Sequence, residues 1–148
     1  MANFALPDAA QIGYAHLRVR DLGGALAFYQ DLLGLREVRR VNGTAYLSAT
    51  GEPPYHVIVT EQPGARQKPP RTAGLYHVAI RLPDRDGLAR VLRRLLENDY
   101  PLQGASDHGV SEAIYLADPD GNGLELYCDR PRAQWQWDGT QIGMGTDP

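Results

Sequence analysis

Four residues of this chain combine metal-binding chemistry with a strand setting. His16 lies in the alternating run 14–20, His56 in 55–60, His77 in 75–82 and Glu125 in 124–127. Side chains alternate faces along a strand. Leu17 and Val19 then oppose His16, Val57 and Val59 oppose His56, Val78 and Ile80 oppose His77, and Leu124 and Leu126 oppose Glu125. Imidazole and carboxylate held on rigid strands, each away from an apolar face, are natural donors to a divalent cation. Taken singly, each has a plainer explanation: strand carboxylates are mostly solvated, and a lone strand histidine is more often a satisfied core residue.

An internal repeat changes the weighing. Tyr46-Leu47 recurs as Tyr115-Leu116; ten residues after Tyr46 comes His56, and ten after Tyr115 comes Glu125. His16 and His77 match in the first strand of each repeat. His16, His56, His77 and Glu125 are therefore expected at related positions, each on the non-helical side of its strand, converging on one metal site. Imidazole with carboxylate suits iron, manganese, nickel or zinc. Two histidines and one carboxylate with open positions suit non-haem Fe(II) and oxygen chemistry. A closed set of four suits Lewis-acid work on water, epoxide or carbonyl. The role of His56 decides between them.

The elements that position these residues read β-α-β-β-β twice. Residues 1–12 form an arm, 13–61 a first module, 62–74 a Pro/Gly/Arg-rich connector, 75–129 a second module and 130–148 a tail. Asp21 caps a first helix whose inward stripe is Leu22, Ala25, Leu26, Tyr29 and Leu33, and Gly34 ends it. Asp84 or Asp86 caps a second, with Leu88, Val91, Leu92, Leu95 and Leu96 inward. A β signal at 101–104 and a polar loop at 105–109 lead to a hairpin turned by Asp118-Pro119-Asp120-Gly121-Asn122-Gly123. The expected fold is α+β, with the two modules pairing into a curled mixed sheet around a metal cleft and the helices outside.

Composition narrows the function. The 148 residues are enough for a core without staples. A net charge of -3 gives no basic footprint for nucleic acid. No apolar run reaches membrane-spanning length, and residues 1–14 lack the basic start and apolar core of a signal peptide. The lone Cys128 excludes an internal disulfide and fits a reducing cytoplasm. Its parity, opposite to Glu125, makes it a core thiol.

The stretches YHVIVTEQPGARQKPPRTAGLYHVAIRLP, DHGVSEAIYLADPDGNGLELYCDRP and QWQWDGTQIGMGTDP, carried on paired β-α-β-β-β units, resemble the vicinal oxygen chelate superfamily. Its members include glyoxalase I, bleomycin and fosfomycin resistance proteins, methylmalonyl-CoA epimerase and extradiol dioxygenases. Within it the chain is similar, over nearly its whole length from Gly13, to the catechol 2,3-dioxygenase type. The resemblance implies Fe(II)-dependent extradiol (meta) cleavage of a catechol, with a small aromatic diol and O2 as partners and neither nucleic acid nor membrane. It puts the iron triad on His16, His77 and Glu125 and the acid/base histidine on His56. It also puts the histidine near dioxygen on His108 and the catecholate-binding tyrosine on Tyr115. Mn(II), Ni(II) or Zn(II) are the alternative ions.

Superfamily members often pair modules across dimers, and relatives of this type often carry a second domain after the tail. A homo-oligomer or such a domain is therefore expected, with Trp135 and Trp137 covering that interface or folding onto their own core. Two other readings stay open: a four-ligand lyase, isomerase or thiol transferase of glyoxalase or fosfomycin-resistance type, and a metal-free antibiotic-binding resistance protein.

Overall fold

The computed structural model describes residues 5–7, 9–67, 69 and 72–147. Parts of the expected arm (residues 1–4 and 8) and connector (68, 70 and 71) lie outside it. The first module contains β1 (Ala15–Val19), α1 (Leu22–Leu26), β2 (Arg36–Val41), β3 (Thr44–Ser48) and β4 (Val57–Glu61). The second contains β5 (Val78–Arg81), α2 (Arg85–Glu97), β6 (Leu102–Asp107), β7 (Ser111–Ala117) and β8 (Gly123–Asp129). The twofold β-α-β-β-β order is the one the repeat predicts.

Both helices start as expected. Asp21 accepts the N–H groups of Gly23 and Gly24, each at 3.0 Å, and Asp84 accepts that of Gly87 at 2.7 Å. Each cap satisfies amides that have no partner within the helix. After Leu26 the first helix widens into a π-helical segment, Ala27–Leu32, which turns both Phe28 and Tyr29 into the core. A pure 3.6-residue period does not anticipate Phe28 there.

Each module supplies one four-stranded mixed sheet, in the orders β1-β4-β3-β2 and β5-β8-β7-β6. The first and last strands of each module are parallel neighbours, and the other pairings are antiparallel. Among the described residues no ladder joins the two sheets. They share one apolar core instead, to which Leu17, Val59, Leu116 and Leu126 contribute from strands and Tyr29 and Leu95 from helices. Cys128 is buried within it, as its parity predicts.

Polar contacts also lock the modules together. Tyr29 donates to the buried Asp118 carboxylate at 2.9 Å, and Arg20 Nε pairs with Asp120 Oδ1 at 2.7 Å. Asp118 accepts three further bonds, from the backbone of Asp120 and from the backbone and side chain of Asn122. The turn that reads as a chain reversal is thus also a rigid joint.

Three strand boundaries differ from expectation. β4 and β5 begin only at Val57 and Val78, and β6 continues to Asp107 through the stretch expected as loop, carried by its pairing with β7. Leu96 is exposed rather than inward. The tail is structured: a 3-10 turn (Arg132–Gln134) precedes a short hairpin of β9 (Trp137–Asp138) and β10 (Gln141–Ile142). Trp135 Nε1 donates to the Arg130 carbonyl at 2.9 Å, so this ring packs on its own chain while Trp137 is about half exposed. No helix among the described residues is long and apolar enough to cross a membrane.

Candidate active site

The second sheet brings four candidates into one line. Val78 lies opposite Leu124 in the parallel ladder of β5 and β8, so His77 enters beside Gly123, two residues short of Glu125. A Cβ at Gly123 would lie 2.3 Å from the Tyr76 carbonyl and 3.2 Å from His77 Cβ, so only glycine admits this approach. His77 Nε2 then reaches Glu125 Oε2 at 2.9 Å. Tyr115, the cross-strand partner of Glu125, places its hydroxyl 3.1 Å from Oε1. His108, in the turn between β6 and β7, places Nε2 2.8 Å from the same hydroxyl and Nδ1 3.0 Å from the Gly145 carbonyl.

The protons in this line can be assigned. A carbonyl only accepts, so His108 Nδ1 carries a proton. With neutral His108, Nε2 is an acceptor, and the single Tyr115 proton serves either it or Glu125. Both bonds are satisfied together only when His108 or Glu125 gains a proton. Partial burial, then the hydrogen bond and charge of Glu125, push the Tyr115 phenol above its ordinary range.

The first sheet carries a weaker copy of the arrangement. His16 lies opposite Ile58, two residues short of Thr60. His16 Nε2 is 2.7 Å from Thr60 Oγ1, and Thr60 Oγ1 is 2.9 Å from Thr44 Oγ1, its cross-strand partner. Relative to the opening histidine, Thr60 therefore stands where Glu125 stands, and Thr44 where Tyr115 stands. The expected match of His56 to Glu125 is corrected: equal counting from Tyr46 and Tyr115 fails because residues 49–56 join β3 to β4, whereas residues 118–122 join β7 to β8.

His56 lies before β4 and apart from the line. Its Nδ1 accepts the Ala49 N–H at 3.3 Å. The ring borders a cavity of about 180 Å³ shared with Leu33, Leu35, Ile80, Val91 and Leu126, all residues of the apolar side. The sequence predicts it on the opposite side of the sheet. Its backbone is nevertheless bonded on both sides, its carbonyl accepting the Ala15 N–H at 3.0 Å and its own N–H donating to the Leu47 carbonyl at 2.8 Å.

A profile of the Glyoxalase/Bleomycin resistance protein/Dioxygenase superfamily matches residues 11–126. This chain belongs to that superfamily. It is 44% identical over 135 residues to catechol-2,3-dioxygenase of Bacillus subtilis, covering 90% of this chain and 47% of that one. It is 30% identical over 115 residues to biphenyl-2,3-diol 1,2-dioxygenase 3 of Rhodococcus globerulus, covering 76% and 60%. A glyoxalase/dioxygenase from Nostoc punctiforme superposes with a TM-score of 0.70 at 21% identity, covering 88% of this chain and all of that one. That last likeness shows the shared fold. The chain spans about half the length of the Bacillus relative.

Imidazole nitrogen and carboxylate oxygen converge at His77 and Glu125, a donor pair that suits a divalent ion. Among the described residues no three His, Cys, Asp or Glu side chains are close enough to hold an ion as they stand. His77 and Glu125 are brought together, whereas His16 is held on the other sheet by Thr60.

Proposed function

We propose that this chain carries the metal site of an extradiol dioxygenase that opens a small aromatic 1,2-diol with O2, with His16, His77 and Glu125 as donors to Fe(II). The observation that carries the reading is the unbroken line from His77 through Glu125 and Tyr115 to His108 on one sheet face. The 44% identity to a catechol-2,3-dioxygenase over nine-tenths of the chain supports the same class. The third donor, His16, is held by Thr60 at 2.7 Å and would have to give up that bond, worth about 1 kcal/mol, to meet an ion. Metal–imidazole bonding exceeds that readily.

Bound Fe(II) supplies chelation of the diol oxygens and a place for O2; the chain's side chains supply the rest. Tyr115 directs a hydroxyl at a diol oxygen, once Glu125 turns from it to the ion. His108 offers a hydrogen bond to oxygens that gain charge. The family resemblance implies His56 as the second-sphere acid/base, but with Nδ1 taken by the Ala49 N–H and the residue set against the apolar cavity it is assigned no proton step. Mn(II), Ni(II) or Zn(II) fit the same donors.

Thr60 supports this reading over the four-ligand lyase, isomerase or transferase. A neutral hydroxyl stands at the fourth repeat-related place, so the set stops at three and leaves ion positions for diol and oxygen. A cytoplasmic enzyme, completed by a second copy or a second domain, is the setting that goes with this reading.

The test is anaerobic reconstitution with Fe(II), followed by catechol and air. A yellow ring-opened 2-hydroxymuconic-type product that disappears in His77→Ala supports the assignment. Stoichiometric metal uptake without product from a panel of catechols moves it to the four-ligand class. No uptake of any divalent ion leaves the metal-free binding protein.

A further inference from the structure

We propose that residues 143–147 of the tail are a positioning strap for the candidate site: the Gly145 carbonyl fixes the ring of His108, and so decides which nitrogen faces Tyr115. Its catalytic meaning rests on the extradiol reading, but the positioning itself does not.

The strap is built by backbone pairing. Asp107 and Asp147 form an antiparallel bridge, with N–H···O distances of 2.7 and 3.2 Å in the two directions. Gly145 N donates to the His108 carbonyl at 3.1 Å, and Ser106 Oγ adds a bond to the Asp147 carbonyl at 3.3 Å. Gly109, at φ +75°, makes the turn that sets His108 against the strap; an added Cβ there would sit 3.5 Å from the Gly143 carbonyl. This turn and the strap hold the His108 backbone from two sides.

A segment that merely covered the free edge of β6 would bond its backbone and nothing else. Here the Gly145 carbonyl also takes the His108 Nδ1–H at 3.0 Å. The consequence is chemical: neutral His108 is confined to the tautomer whose free lone pair, on Nε2, lies 2.8 Å from the Tyr115 hydroxyl. A residue far along the chain from every proposed metal donor therefore orients a group one bond from Tyr115.

The readout is the tautomer of His108, by long-range 1H–15N spectra of the metal-free, 15N-labelled chain at a pH where the ring is neutral. The wild type is expected to show a pyrrole-like Nδ1 and a pyridine-like Nε2. The pair Gly145→Pro with Asp147→Pro removes two strap donors and should return His108 to the mixed, Nε2–H-weighted population of a free imidazole. Amide shifts of β7 should stay unchanged. Gly145→Ala keeps both backbone groups, and its Cβ would meet only ordinary contacts at 3.6 and 3.8 Å, so it should behave as wild type.

Loaded with Fe(II), the double-proline chain should lose roughly tenfold in kcat, about one hydrogen bond's worth, with KM little changed. A wild-type ring with its proton on Nε2 overturns the proposal, as does a double-proline chain that keeps the Nδ1–H form. If that variant unfolds, the wild-type tautomer decides. Because the spectra need neither metal nor diol, failure of the strap and failure of the extradiol reading are separable.

Discussion

His16 Nε2 lies 2.7 Å from Thr60 Oγ1, and this contact is the first module's copy of the 2.9 Å contact between His77 Nε2 and Glu125 Oε2. In both modules the opening histidine reaches a residue two places beyond its ladder neighbour on the parallel last strand. In both, that residue is tied to a hydroxyl on the strand beyond. The repeat thus offers four equivalent places, and the chain fills them with His16, Thr60, His77 and Glu125. The asymmetry falls at one residue, and it sets how many charged donors an ion would meet.

Thr60→Glu completes the fourth place with a carboxylate. Divalent affinity should rise by about tenfold or more, since ligand charge tunes such sites. Diol cleavage should fall to background, because the added ligand takes a position the diol or O2 needs. Metal competition with a chelator and oxygen uptake measure the two effects. An affinity that does not rise would mean that Thr60 does not border the ion.

His77→Ala and Glu125→Gln should each remove stoichiometric metal, read by equilibrium dialysis. Glu125→Gln has a second consequence without metal. The carboxylate's hydrogen bond and charge help raise the Tyr115 phenol, so the variant's phenol should titrate lower. It should still titrate above a free tyrosine, because burial is the larger cause. An ultraviolet phenolate titration against Tyr115→Phe isolates the group.

Much of this was readable from residue order because strands impose a period of two. Glu125 between Leu124 and Leu126, and His16 before Leu17, lie on the polar side as their neighbours require. Caps at Asp21 and Asp84 were readable for a similarly local reason. Equal counting from Tyr46 and Tyr115 could not find Thr60, because a loop can lengthen without disturbing the ladders it joins. The continuation of β6 through Gly104, Ala105 and Ser106 reflects pairing with β7 rather than intrinsic propensity. The grip of Gly145 on His108 leaves no periodic signal, and neither does the bond from Tyr29 to Asp118.

Tyr29→Phe should cost about 1–3 kcal/mol near neutral pH, because it takes a buried donor from the Asp118 carboxylate. Burial first, and then Asp118, raise the Tyr29 phenol far above its ordinary value. A raised value in the fold favours folding while the unfolded tyrosine keeps its proton. That contribution is full below about pH 10 and shrinks as the unfolded phenol ionises above it. Urea melts from pH 7 to 11 should therefore show wild type and variant converging as pH rises. A constant gap would show that Tyr29 ionises as easily folded as unfolded.

Asp107 carries the opposite sign. The Gly109 backbone N–H holds its carboxyl below the usual range; burial opposes this as the next largest cause, and the Arg130 guanidinium adds to the lowering. A lowered value in the fold stabilises above the unfolded value of about 3.9, and the contribution disappears as pH falls through the folded one. Asp107→Asn should thus weaken the chain at pH 7 and match wild type once the acid limb is passed. Asp107 also bridges Asp147 through its backbone. The same acid titration should therefore loosen the strap before the sheet, with Gly145 amide exchange rising at a pH where the β8 amides remain protected.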